Sequence, residues 1–172
     1  PAITAAIRRQ IMEQAGAFIR QRYRMDEHAA SRLLDVPVVW RRGRGRSAFY
    51  PRACKGHDGP HIVLRIPPGA VARWNTYLRV RARWTTPPGG IELPIDVLMT
   101  TVLIHEFTHA VQHGVCGHDK RKFSEVETTE NEIEFMRVHA PSAYAQLVSV
   151  PRLPRTRLTQ AERERQLRRA LP

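Results

Sequence analysis

Lysine is nearly absent from this chain: Lys55, Lys120 and Lys122 stand alone, although Lys and Arg together number 28. The positive charge is therefore carried by arginine, whose planar guanidinium suits paired contacts with carboxylates and phosphates. Acidic residues are also scarce, 16 against those 28, which leaves a formal net charge of +12. Such a balance favours anionic partners such as nucleic acid, an anionic membrane surface or an acidic protein. It also serves plain solubility, so by itself it names no partner. With only Cys54 and Cys116, a disulfide-stapled scaffold is excluded. No apolar run approaches the ~20 residues of a membrane span, and no signal-peptide pattern opens the chain. A cytoplasmic location without a membrane span is expected, with a secreted effector as the alternative.

What remains is an ordinary globular composition. Apolar residues make up 42% of 172 residues and aromatics 7%, enough for one core and one domain. Ile3, Ile7, Ile11, Ala15, Phe18 and Ile19 recur at helical spacing and predict an amphipathic helix to about Tyr23. Residues 35–40 read as a strand, 41–46 as an arginine- and glycine-rich turn, and 47–50 as the returning strand of a basic hairpin. His61 to Ile66 reads as a further strand, stopped by Pro67-Pro68-Gly69. Tyr77 to Trp84 alternates like an edge strand, yet Val71, Trp74, Leu78 and Ala82 also form a helical stripe, and both readings stay open. After the loop 85–90, Pro94 opens a strongly apolar helix from about Ile95 to His113, stopped by Gly114. A second helix is expected from Ser124 to His139, ending before Pro141. In the polar, arginine-rich tail 151–172, Thr159-Gln160-Ala161-Glu162 has the form of a capping box.

The chemistry concentrates at His105-Glu106-Phe107-Thr108-His109. On a helix the two histidines lie one turn apart on one face, so both imidazoles can reach one ion while Glu106 stands beside them. Zn²⁺ suits this donor set and leaves a position for water, which Glu106 can deprotonate as general base before passing the proton to a leaving amine. A surface helix with chance histidines is the competing reading. Val97, Leu98, Val102, Leu103, Ile104, Phe107, Ala110 and Val111 surround the motif on nearly all sides, and in a buried helix unpaired polar groups are costly.

A third ligand is expected from the following helix, which offers Glu127, Glu130, Glu132 and Glu134. Taking Val126, Thr129, Ile133 and Met136 as the inward stripe selects Glu130, leaves Glu127 farther round and turns Glu132 away; Glu134 then suits a hydrogen bond to a ligand imidazole. His113 suits the C-terminal cap of its helix. Arg137, His139 and Tyr144 are candidate donors to a tetrahedral oxyanion. Cys54, His57, Cys116 and His118 form a weaker candidate for a structural zinc site.

The stretch from His105 to Met136 resembles the HExxH zinc metallopeptidases called gluzincins, with Glu130 and Glu134 matching their Glu-x-x-x-Asp/Glu arrangement. That resemblance implies a single α+β zincin-like domain over residues 1–150, with His105, His109 and Glu130 as metal ligands, Glu106 catalytic, Zn²⁺ as cofactor and a protein or peptide as substrate. A second resemblance is to SprT-like and WLM peptidases, through the order of elements and Gly117-His118-Asp119. It implies His118 as third ligand and action on DNA-associated proteins, with nucleic acid held by the arginine-rich surface. Further alternatives are a nucleic-acid-binding module with a structural zinc, and a secreted effector or toxin protease.

Overall fold

The N-terminal periodicity forms helix α1, Ala5–Tyr23, in the computed structural model, which describes residues 3–43, 45–53, 56–74, 86–87, 89–117 and 124–149 with Glu162, Arg165 and Arg169. Thr4 caps it, its hydroxyl accepting from the Ile7 N–H at 3.3 Å. The helix ends at Arg24, whose φ of 50° is left-handed, and the Met25 N–H reaches back to the Arg20 carbonyl, a closure that satisfies end carbonyls. A short helix that the periodicity did not signal, α2 at Glu27–Leu34, follows. Its start is nonetheless written in the chain: the Asp26 carboxylate accepts from the Ala29 N–H at 2.8 Å, as N-caps do. Gly16 of α1 lies so close to α2 that an added Cβ would come within 2.7 Å of Leu34 Cδ2.

Three strands follow, β1 (Val38–Arg42), β2 (Ala48–Tyr50) and β3 (His61–Ile66). The expected hairpin between the first two is not formed. The sheet order is β1-β3-β2, with β3 parallel to β1 and antiparallel to β2. Burial explains the arrangement: Ile62, Leu64 and Ile66 of β3 are buried, whereas β1 and β2 hold only half-buried and exposed residues. The most apolar strand takes the centre, and β1, with Arg41 and Arg42, takes an edge, where charge discourages further pairing.

Val71–Trp74 forms strand β4, antiparallel to β5 at Ile91–Pro94, so the helical reading of Val71 and Trp74 fails. The alternating segment 77–84 lies outside the described residues. Strand β5 runs directly into α3, Ile95–Gln112, and Gly114 at φ 74° turns the chain beyond it. This helix is buried nearly all round, including Met99, Leu103, Ile104, Phe107 and Ala110, which marks a central element. Helix α1 and α4 (Glu125–His139) pack against it, and β2 to β5 touch it as well. Ser124 caps α4, accepting from the Glu127 N–H at 3.2 Å.

Pro141 ends α4 as expected and begins another helix, α5 at Pro141–Ser149, since proline is tolerated in a first turn. The fold is α+β, one body around one core, with Phe18 and Phe135 meeting edge to face at 5.8 Å. Of the tail, only Glu162, Arg165 and Arg169 are described, all helical. No helix among the described residues is long and apolar enough to cross a membrane.

Candidate metal centre

Helix α3 places His105 and His109 as their spacing requires, with Nε2 atoms 3.1 Å apart. The far nitrogens are both engaged. His105 Nδ1 donates to a Glu132 carboxylate oxygen, and the other oxygen accepts from Trp74 Nε1 at 2.6 Å. His109 Nδ1 bonds the Gln112 amide at 3.0 Å. That amide is oriented by its own partners, because Nε2 donates to the Ser124 carbonyl (3.0 Å) and to Glu127 (2.9 Å). Its oxygen is therefore the group facing His109, and it can only accept. Each Nδ1 thus carries a proton and each Nε2 presents a lone pair, the tautomer that metal-binding histidines adopt.

Two lone pairs facing each other at this distance call for a cation between them. Without metal, a proton fills the role. Burial works against charge on His105, but the hydrogen bond and charge of Glu132, followed by Glu106 and Glu125, carry its pKa up to about 9. His109 moves the other way, lowered first by burial and then by the charge on His105. The pair is built to hold one positive charge.

Glu125, the first residue of α4, approaches that point, with carboxylate oxygens 3.5 Å from His105 Nε2 and 3.8 Å from His109 Nε2. Ligand atoms of these three residues all lie within 4.8 Å of one another, and no other such group occurs among the described residues. Two nitrogens on one tetrahedral zinc stand about 3.3 Å apart, close to the separation found here. A two-histidine, one-carboxylate set is also the donor chemistry of zinc sites that keep a position open.

Glu106 is 5% exposed and lines the same cavity of about 860 Å³. Burial pushes its pKa up to about 7, against the pull of His105 and of a hydrogen bond from the Phe49 backbone N–H. A carboxyl in this range can take up and return a proton near neutrality.

Of the expected third ligands among the described residues, neither Glu130 nor Glu127 joins this group. Glu130 is absent from the cavity wall and from the ligand group. Glu127 instead accepts from Tyr23 Oη at 2.9 Å as well as from Gln112, and His118 lies outside the described residues. Glu132 faces inward rather than away, and the imidazole contact expected of Glu134 belongs to it; Glu134 pairs with Arg137 at the surface. The reason lies in the buried side of α4, which is polar: Thr128, Asn131 and Glu132 are buried beside Ile133, Phe135 and Met136. An apolar stripe was therefore a poor guide to the inward direction. A usable signal existed, because residues seven apart fall within about 20° on a helix, so Glu125 and Glu132 share a face.

The proposed oxyanion donors lie elsewhere too. Arg137, His139 and Tyr144 do not line the cavity, whereas His113, the C-cap of α3, does. Cys116 is a buried free thiol raised to about 11 by burial, against the pull of Arg32. His57 stacks on His61 at 4.2 Å, while Cys54 lies outside the described residues.

Behind the two histidines, Asn131 ties three helices together. Its amide nitrogen donates to Tyr23 Oη and Thr108 Oγ1, each at 3.0 Å, and its oxygen accepts from Arg22 Nε at 2.9 Å. Asn131 is fully buried, so Asn131→Ala strands these partners and is expected to lower stability by about 2–3 kcal/mol. Urea denaturation checks it; an unchanged midpoint would dismiss the network as a structural support. No family model, curated protein or solved structure matches the chain.

Proposed function

We propose that the protein is a zinc-dependent metallopeptidase in which His105, His109 and Glu125 hold the ion and Glu106 is the general base. The observation that carries this reading is the convergence of two imidazole lone pairs and a carboxylate beside a buried glutamate in one cavity. Zinc held there would supply a Lewis acid and lower the pKa of a water toward ~7. Glu106, buried beside the site, would take a proton from the attacking water and return it to the leaving amine. Glu132 and Gln112 keep both imidazoles in the required tautomer and orientation throughout. His113, in the cavity wall, is a candidate donor to a carbonyl oxygen as it gains negative charge. Ala48 and Phe49 of edge strand β2 also line the cavity, and an edge strand can pair with an extended peptide.

Proton release on zinc binding tests the site. At pH 7 His105 carries a proton that the metal must displace, and Glu106 is part protonated. Calorimetry in buffers of different ionisation enthalpy is expected to show release of about one proton or more per zinc. Affinity should climb with pH through about 9 and level off above it, where His105 is neutral. Binding of one zinc with no proton release would place the ion elsewhere.

A further inference from the structure

The cavity around Glu106 is lined by side chains of both charge signs. Its lining carboxylates, Glu106, Glu125 and Glu132, belong to the motif and α4 and are committed to the histidines, Trp74 and the Phe49 backbone. Arg46, Arg65 and Arg73 also line it, contributed by the loop before β2, by β3 and by β4. Separate elements thus bring three guanidiniums to one concavity. All three residues are exposed. Arg73 donates from Nη1 to the Gly89 carbonyl at 2.9 Å, which anchors the head while leaving further N–H groups. The Arg65 backbone N–H is held by Ser47 Oγ at 2.9 Å, and its side chain runs beside Gly45. Among the described residues neither Arg65 nor Arg73 is paired with a carboxylate.

We infer that the substrate is an acidic polypeptide, and that Arg46, Arg65 and Arg73 receive its Asp or Glu side chains about three residues from the bond cleaved. This rests on the peptidase reading above. Arg46 precedes Phe49, the residue whose N–H meets Glu106, by three positions, or about 10 Å of extended chain. Guanidinium and carboxylate match as paired donors and acceptors. A polypeptide can present a carboxylate to the arginines and a neutral amide beside Glu106. A nucleic-acid strand would have to carry its phosphates past Glu106, Glu125 and Glu132, so the acidic peptide is favoured.

The test uses full-length, zinc-loaded Glu106→Gln protein and fluorescein-labelled ten-residue peptides that differ only in Glu, Gln or Lys at the flanking positions. A single-stranded oligonucleotide of equal charge to the Glu peptide is measured alongside. Anisotropy is expected to show the Glu peptide binding about tenfold or more tighter than the Gln peptide. That preference should disappear in a background of Arg46→Gln, Arg65→Gln and Arg73→Gln and persist with Arg9→Gln on α1; matching thermal melts establish that the variants fold. Equal binding of Glu and Gln peptides, or a preference that survives the triple substitution, overturns the inference. So does an oligonucleotide that outcompetes the Glu peptide through the same arginines. Hydrolysis by the wild-type protein without acidic preference sinks this inference alone, whereas acidic-peptide binding with no hydrolysis sinks the peptidase reading and leaves the arginines as an acidic-peptide binding site.

Discussion

Glu106→Gln is expected to keep one equivalent of zinc and to lose peptide hydrolysis by at least about 10²–10⁴-fold, the range of a positioned general base. Glutamine preserves size and the capacity to accept from the Phe49 N–H but cannot take a proton from water. Because Glu106 is not among the three grouped ligands, metal content should hold while turnover collapses. Removing a buried carboxyl whose pKa has been pushed up to about 7 also relieves an unfavourable charge at alkaline pH. Loss of activity should therefore come without loss of stability. Zinc analysis beside a cleavage assay on an unstructured protein separates the effects; full activity in this variant removes Glu106 from its role, and loss of zinc would make it a ligand.

The second large effect distinguishes the carboxylates of α4. Glu125→Ala removes the oxygens that approach both histidines and should weaken zinc binding by more than the roughly 10–100-fold typical when a ligand's hydrogen-bond partner is lost. Glu132→Gln should fall within that 10–100-fold range, because Glu132 orients His105 rather than completing the ligand group. Glu130→Ala should leave affinity unchanged. Five positions from Glu125 it points about 140° away around the helix. Competition against a chromophoric chelator ranks the three, and the opposite order, with Glu130 dominant, would restore the ligand expected from the sequence pattern.

How much of this was legible before the structure depends on the kind of burial. Helix α3 could be read because its apolar residues encircle the motif, so His105, Glu106 and His109 stood out as polar groups needing a reason to be buried. Helix α4 could not be oriented in the same way. Asn131 and Glu132 are buried through hydrogen bonds with Tyr23, Thr108, Trp74 and His105, contacts from distant parts of the chain that no local apolar pattern encodes. The hairpin expected across 35–50 failed for a related reason. Turn chemistry at Gly43 and Gly45 is local, but a strand 11 residues beyond Tyr50 carries the more apolar face and separates the two. Helix α2 had a cap at Asp26 but too few apolar residues to show a period. The positive charge gave no location at all, and only the cavity wall shows where three of the arginines converge.

Hydrolysis measured as zinc is returned to metal-free protein tests the central claim most directly. Activity on an unstructured protein substrate should rise in proportion to added zinc and reach a plateau at one equivalent, and Glu125→Ala should need far more zinc to respond. One tightly bound zinc with no hydrolysis at any loading would contradict the account and leave His105, His109 and Glu125 as a structural metal site.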